Sequence, residues 1–167
     1  DIDTVRVIFP NVSFAGSGLT LRNVSLSERG LPKLRGISLD VRAGEIFGIA
    51  GVDGNGQKEL AEVITGIRRQ DEGTIALHDR PLDGLNVEAR RRAGVAYIPD
   101  DRHRDALVMD MDLTDNMLLR FNSDRRFRKY GLLDTQAAKV KTARSVEEYG
   151  IKAHTVGTQV RTLSGGN

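Results

Sequence analysis

Residues 43–66 read AGEIFGIAGVDGNGQKELAEVITG, and the order of residue types in that stretch decides the architecture. The apolar run 45–50 predicts a short buried strand. Gly51, Gly54 and Gly56 follow it. Residues 57–65 then predict a helix, with Leu60, Ala61 and Ile64 on one face and Gly66 as its stop. Strand, glycine-rich turn and helix is the arrangement in which successive backbone N–H groups curl around phosphate oxygens, at a helix N-terminus whose dipole favours anions. Glycine is needed there because the backbone must approach the ligand closely and take positive φ. The competing reading is a tight strand-to-helix turn that binds nothing. On the first reading Gly51, Val52, Asp53, Gly54, Asn55, Gly56, Gln57, Lys58 and Glu59 form the candidate nucleotide-binding set.

The loop departs from the intact motif in its chemistry. After the last glycine that motif carries a lysine, whose ammonium bridges the β- and γ-phosphates, and then a Ser or Thr, whose hydroxyl holds Mg²⁺. Here those positions are Gln57 and Lys58. Gln57 offers neutral donors only, and an ammonium cannot ligate a cation. Lys58 lies one residue further along the helix, rotated by about 100° from the lysine's direction. Glu59 adds a negative charge close by. Losing one or two charge-assisted contacts, at roughly 1.5–3 kcal/mol each, predicts nucleotide binding about ten- to ten-thousand-fold weaker and impaired hydrolysis.

On the N-terminal side of the loop, residues 5–9, 19–26 and 34–41 predict strands, separated by turn material at 15–18 and 28–32. On the C-terminal side, residues 74–78 predict a strand, 79–84 (DRPLDG) a turn, 87–92 a short helix and 94–98 another strand. Beyond Pro99 the character changes. DDRHRDALVMDMD reads as a charged loop, and Thr114 as the N-cap of a helix through Leu119. SDRRFRKYGLL reads as basic and irregular. Asp134 caps a predicted helix over 135–149 that Gly150 closes in the left-handed conformation. The basic run 125–129 and the triplet 90–92 read by default as solvated faces, the former with a minority reading as a contact for a membrane-embedded partner.

The bulk composition narrows the classes. A chain of 167 residues suffices for one domain that buries about 70% of its unfolded surface. A net charge of +2, with no Trp and no basic stripe interleaved with aromatics, argues against nucleic acid. With no Cys, disulfides and thiolate metal sites are excluded. No leader-like segment opens the sequence. The longest apolar stretch, 46–52, contains two glycines and is too short to span a bilayer, so direct membrane insertion is not expected.

From Leu34 to Asn167 the order of pieces resembles the nucleotide-binding domain of an ABC transporter. The pieces are strand, glycine loop, helix, GTIALHDRPLDG, VAYIPDDR, a helical segment and LSGGN. The resemblance is closest to the second, C-terminal cassette of the tandem ATPase subunits of bacterial sugar and nucleoside importers. In those cassettes the loop lysine is commonly replaced, a PEDR-like turn follows the central strand, and the signature reads LSGGN. The implied fold is an α/β P-loop NTPase cassette: about 1–111 as antiparallel β subdomain and P-loop core, and about 112–167 as a helical subdomain, C-terminally truncated at the signature. The resemblance makes Leu163, Ser164, Gly165, Gly166 and Asn167 the signature, which faces the γ-phosphate of ATP held by the opposite cassette. It puts Asp100 at the Q-loop position, where the family usually has Gln; a solvated acidic turn at 100–101 stands as the equal alternative. It implies ATP and Mg²⁺ as cofactors, weakly bound or unbound, and a first ATP-binding cassette and transmembrane permease subunits as partners. The implied location is peripheral, at the cytoplasmic face of the plasma membrane. No aromatic residue lies in 27–32, where active cassettes usually stack the adenine, and the segment that would carry the catalytic glutamate and switch histidine lies beyond the signature. His78, His103 and His154 precede it and read as surface residues. The rival reading is a non-catalytic scaffold or regulatory domain derived from a cassette. A GTPase is more distant, since no Asn-Lys-x-Asp string occurs.

Overall fold

The computed structural model describes residues 3–7, 16–52, 54–121 and 124–164. It divides into two compact units, Asp1–Tyr97 and Ile98–Asn167.

The first unit is built on a four-stranded antiparallel sheet. Strands β2 (Ser17–Glu28) and β3 (Leu31–Arg42) form a long hairpin through Arg29 and Gly30, whose φ values of 52° and 78° suit the right-handed twist of the paired strands. On its other edge β2 pairs with β5 (Glu72–Leu77), and β5 in turn with the short β6 (Arg80–Pro81). The β5–β6 turn uses His78 and Asp79, again both at positive φ (49° and 60°). Leu21 sits opposite Leu39 on one side and Ile75 on the other, so one apolar row crosses the sheet. That row and Val24, Leu26 and Leu34 are buried together with Leu60, Val63 and Leu82 in the main core. Strand β2 bulges at Asn23 (φ 51°), where its register shifts against both neighbours. Gly73 lies against this bulge at φ 88°, where a Cβ would meet the carbonyl oxygens of Arg22 and Asn23 at 2.5 Å.

Helix α1 (Gln57–Thr65) runs over the predicted residues and ends at Gly66, which is left-handed (φ 81°). Its buried face differs from the expected one. Leu60 and Val63 are the residues sealed into the core, while Ala61 and Ile64 are half-buried. The strand before the loop, β4 (Ile46–Ala50), pairs antiparallel with β1 (Asp3–Val7). The expectation that this strand is buried fails: Ile46 and Ile49 are exposed, and Phe47 is the residue packed against the core. The strand expected over 94–98 does not form either. Among the described residues no ladder partner reaches it, and an extended segment without a partner is not a strand. Of the expected strand over 5–9, residues 8 and 9 lie outside the described residues, as does Ala15 of the following turn.

Helix α2 (Val87–Ala93) overturns the reading of 90–92 as a solvated face. Asn86 caps it by accepting from the N–H of Ala89 at 2.9 Å. Arg91 and Arg92 pair with Glu88 on the outside. Arg90, however, is 3% exposed and turns inward. Its Nη1 donates to the carbonyls of Val63 (2.7 Å) and Ile64 (3.0 Å), and its Nε to that of Leu85 (3.1 Å). The last turn of α1 contains no basic residue, so Arg90 supplies from a neighbouring helix the cation that its C-terminal carbonyls favour. Burial pushes the guanidinium below its ordinary pKa, with the Asp83 charge working against that shift.

The second unit is mainly helical. Where a loop was expected, residues Arg102–Asp105 form a one-turn helix, α3, because the Asp101 carboxylate accepts from the N–H groups of His103 and Arg104, both at 3.1 Å. Helix α4 (Leu113–Phe121) is capped by Asp112, which accepts from the N–H of Asp115 at 2.8 Å. Thr114, the expected cap, is inside the helix and buried, with its hydroxyl on the carbonyl of Val156. The segment expected to be irregular is ordered from Asp124 onward, Ser123 lying outside the described residues. A single 3-10 turn, Arg125–Phe127, leads into a two-residue hairpin of β7 (Arg128–Lys129) and β8 (Leu132–Leu133), turning through Tyr130 and Gly131 at positive φ. Helix α5 (Thr135–Glu148) is capped as expected by Asp134, which accepts from Ala137 at 2.9 Å, and Gly150 is left-handed (φ 63°). A small core of Leu118, Phe127 and Ala138 joins α4, the 3-10 turn and α5, with the Phe121 and Phe127 rings 5.2 Å apart.

Candidate functional site

The glycine loop leaves β4 through Gly51 and Val52, both exposed, and enters α1 through Gly56, which is buried and takes φ 102° at the N-cap. Asp53 lies outside the described residues. Gly54 has φ 85°, with open space where a Cβ would stand, so glycine is needed here for conformation and not for lack of room. The N–H of Asn55 donates to the carbonyl of Val52 at 3.2 Å, which closes the loop as a turn. Among the described residues no side chain caps α1, whereas α2, α3, α4 and α5 each carry an Asp or Asn cap.

Gln57 folds back and donates from Nε2 to the carbonyl of Val52 at 3.2 Å. The residue standing where a lysine would reach for phosphate is thus tied to the loop's own backbone. Lys58 is exposed. Glu59 turns its half-buried carboxylate toward β3, where Oε1 lies 3.7 Å from Nζ of Lys33.

Beside the loop is a cavity of about 500 Å³ lined by Leu31, Pro32, Lys33, Leu34, Arg35 and Ile37 of β3 and by Gly54 and Asn55. That volume falls within the range of small-molecule sites. Lys33 and Arg35 were not singled out in the sequence: Leu31, Lys33 and Arg35 alternate with period two, and on a strand such residues share a face, but that alternation does not say which face borders the loop. The opposite alternation carries Leu34 into the core.

The remaining expected site residues belong to the second unit. Asp100 is exposed and Asp101 is the cap of α3. Leu163 and Ser164 line a smaller cavity of about 180 Å³ with Arg102, His103, Leu107 and Val160 among its walls. The chain leading to them is laced to the segment before α4: Val160 and Arg161 donate backbone N–H groups to the carbonyls of Met111 and Met109 at 3.1 and 3.0 Å. Gly165, Gly166 and Asn167 lie outside the described residues. His78, His103 and His154 are all exposed. Among the described residues no helix is long and apolar enough to cross a membrane.

Comparison with known proteins places this geometry. The chain is 38% identical over 150 residues to the nucleoside import ATP-binding protein NupA of Lactococcus lactis subsp. cremoris, covering 89% of this chain and 30% of the relative. It is 39% identical over 150 residues to the guanosine import ATP-binding protein NupO of Bacillus subtilis, covering 90% and 29%. It is 35% identical over 166 residues to the ribose import ATP-binding protein RbsA of Pseudomonas putida, covering 98% and 31%. The chain therefore spans about three tenths of the length of these relatives. Among solved structures it matches an ATP-binding cassette captured as a dimer in a post-hydrolysis state with ADP and Pi, with a TM-score of 0.65, 15% identity and coverage of 89% of this chain and 64% of that one. At that identity the likeness concerns the fold, an α/β ABC ATPase cassette. The family model for the ABC transporter matches residues 34–167, four fifths of the sequence, and this chain belongs to that family as an ATP-binding domain.

Proposed function

We infer that this chain is part of the ATP-binding subunit of an importer for simple sugars or nucleosides, and that it acts as the second of two cassettes. Its parent would hydrolyse ATP to drive transport, working with a first cassette and with transmembrane permease subunits as a peripheral component at the cytoplasmic face of the membrane. Residues 1–111 would supply the β subdomain and nucleotide-handling core and 112–167 the helical subdomain, although residues 98–111 pack with the second compact unit. The observation that carries the reading is Gln57. It occupies the lysine position and its amide is spent on the carbonyl of Val52, so this side chain would add nothing to the hold on ATP, whose phosphates would be met weakly by the loop's backbone N–H groups and bring their Mg²⁺ with them. The import functions named for the 35–39% identical relatives support the transport class.

On this reading the strong ATP site belongs to the other cassette, and Leu163 to Asn167 complete it in trans. The test is steady-state ATPase activity of the full-length subunit assembled with its permease in membranes. Ser164→Arg should abolish most of it, because bulk and an altered donor pattern block the γ-phosphate contact. Gln57→Ala should change it little, since its side chain holds the loop and not the ligand. Equal damage from both would overturn the assignment and make this loop catalytic. No loss from either would favour the cassette-derived scaffold, the second reading that the Gln57 tie supports.

A further inference from the structure

The loop lacks its lysine, yet the cavity beside it does not lack cations. Lys33 and Arg35 stand on β3 in the wall that faces Gly54 and Asn55. Lys33 reaches the foot of α1, where its ammonium is 3.7 Å from Oε1 of Glu59, the two side chains being 35% and 13% exposed. Glu59 lies in the first turn of the helix, so its carboxylate sits between two sources of positive potential, the ammonium and the helix N-terminus. A carboxylate there is chemically what a phosphate oxygen would be: an anionic acceptor held by a lysine and a helix end. The apolar residues of the same wall, Leu31, Pro32 and Ile37, give the cavity a surface against which a base or sugar can lie.

We propose that Lys33, on β3, is the cation that binds the polyphosphate of a nucleotide in this cavity, and that Glu59 is a built-in competitor which holds Lys33 until the polyphosphate displaces it. This rests on the reading of residues 51–59 as an anion loop and adds to it the residue that supplies the charge and the residue that opposes it. Displacement exchanges one anion for another on the same ammonium. Affinity is therefore lowered by the strength of the Lys33–Glu59 pair, and removing the Glu59 charge releases that restraint while also lifting its repulsion of the incoming phosphates.

The experiment is calorimetric titration of the whole chain, at low salt, with Mg-ATP, with inorganic tripolyphosphate and with adenosine. Glu59→Gln preserves size and helix and removes the charge; Lys33→Met keeps the apolar stem. Thermal melts of each variant establish that it is folded. Glu59→Gln should tighten Mg-ATP and tripolyphosphate by about tenfold, Lys33→Met should weaken both by at least about tenfold, and the double variant should show none of the gain from Glu59→Gln. Adenosine should respond to neither. A gain that survives in the double variant, or neutrality of both single variants, overturns the proposal. The control that separates this from the loop reading is Gln57→Lys with Lys58→Ser. If that variant tightens Mg-ATP while Lys33 and Glu59 prove neutral, the loop binds phosphate and Lys33 is not its cation. If no variant binds polyphosphate at all, the loop reading fails and takes this inference with it.

Discussion

Arg90 shows how much one residue can hold. Its guanidinium joins α2 to the end of α1 by donating to Val63, Ile64 and Leu85, and it is 3% exposed. Arg90→Met keeps the packing of the stem but leaves buried carbonyls without that donor, so we expect a loss of about 2–4 kcal/mol in urea unfolding. Arg90→Lys should recover little of it, because a single ammonium cannot reproduce a fork spread over three acceptors. The sequence contained a hint that went unread: three consecutive arginines on a helix point in directions about 100° apart, so they cannot all share one solvated face. The same scale limited the reading of the loop. Gly56 and Gly66 were legible because their left-handed conformations follow from residue type. Lys33 was not, because its importance depends on which strand face borders the loop, and residue type does not contain that information.

At the scale of elements, local chemistry was legible wherever a turn or cap residue fixes it, as at Asp134, Gly150 and Gly66. It failed where two neighbouring candidates compete. Asp112 took the cap of α4 and Thr114 was drawn inside, and Asp101 turned an expected loop into helix α3. The strand expected over 94–98 failed for a different reason: a β-branched apolar run states a preference, but a strand exists only with a hydrogen-bonding neighbour. The bulge on β2 is sensitive to substitution at the glycine packed against it. Gly73 crosses it at φ 88°, with no room for a Cβ against the carbonyls of Arg22 and Asn23. Gly73→Ala should therefore lower stability by about 3 kcal/mol or more, combining strain with overlap, read as a fall in the midpoint of a circular-dichroism melt. Gly84→Ala is the control, because Gly84 has a similar φ of 74° but open space around it, and it should cost only the conformational part, about 1 kcal/mol.

For the molecule as a whole, the α/β cassette architecture was legible from the order of its pieces, whereas the compact units divide at Tyr97 and Ile98 and the sequence reading had placed a boundary at about 111–112. The two units are unequal in their interiors. Among the described residues nine buried apolar residues form the core of the first, against three in the second, so most of their hydrophobic stabilisation resides in the sheet and α1. What the sequence concealed was how the strand ahead of the loop would be clothed. Among the described residues β4 is laddered on one side, to β1, and Ile46 and Ile49 remain 61% and 38% exposed. An edge strand that exposes apolar side chains is a template for further pairing. The colloidal behaviour of the chain should follow: light scattering should rise with protein concentration well below the melting temperature, and Ile49→Lys should suppress that rise. The same strand that leads into the glycine loop thus sets the shelf life of the purified chain, and concentration, more than heat, is the condition to control.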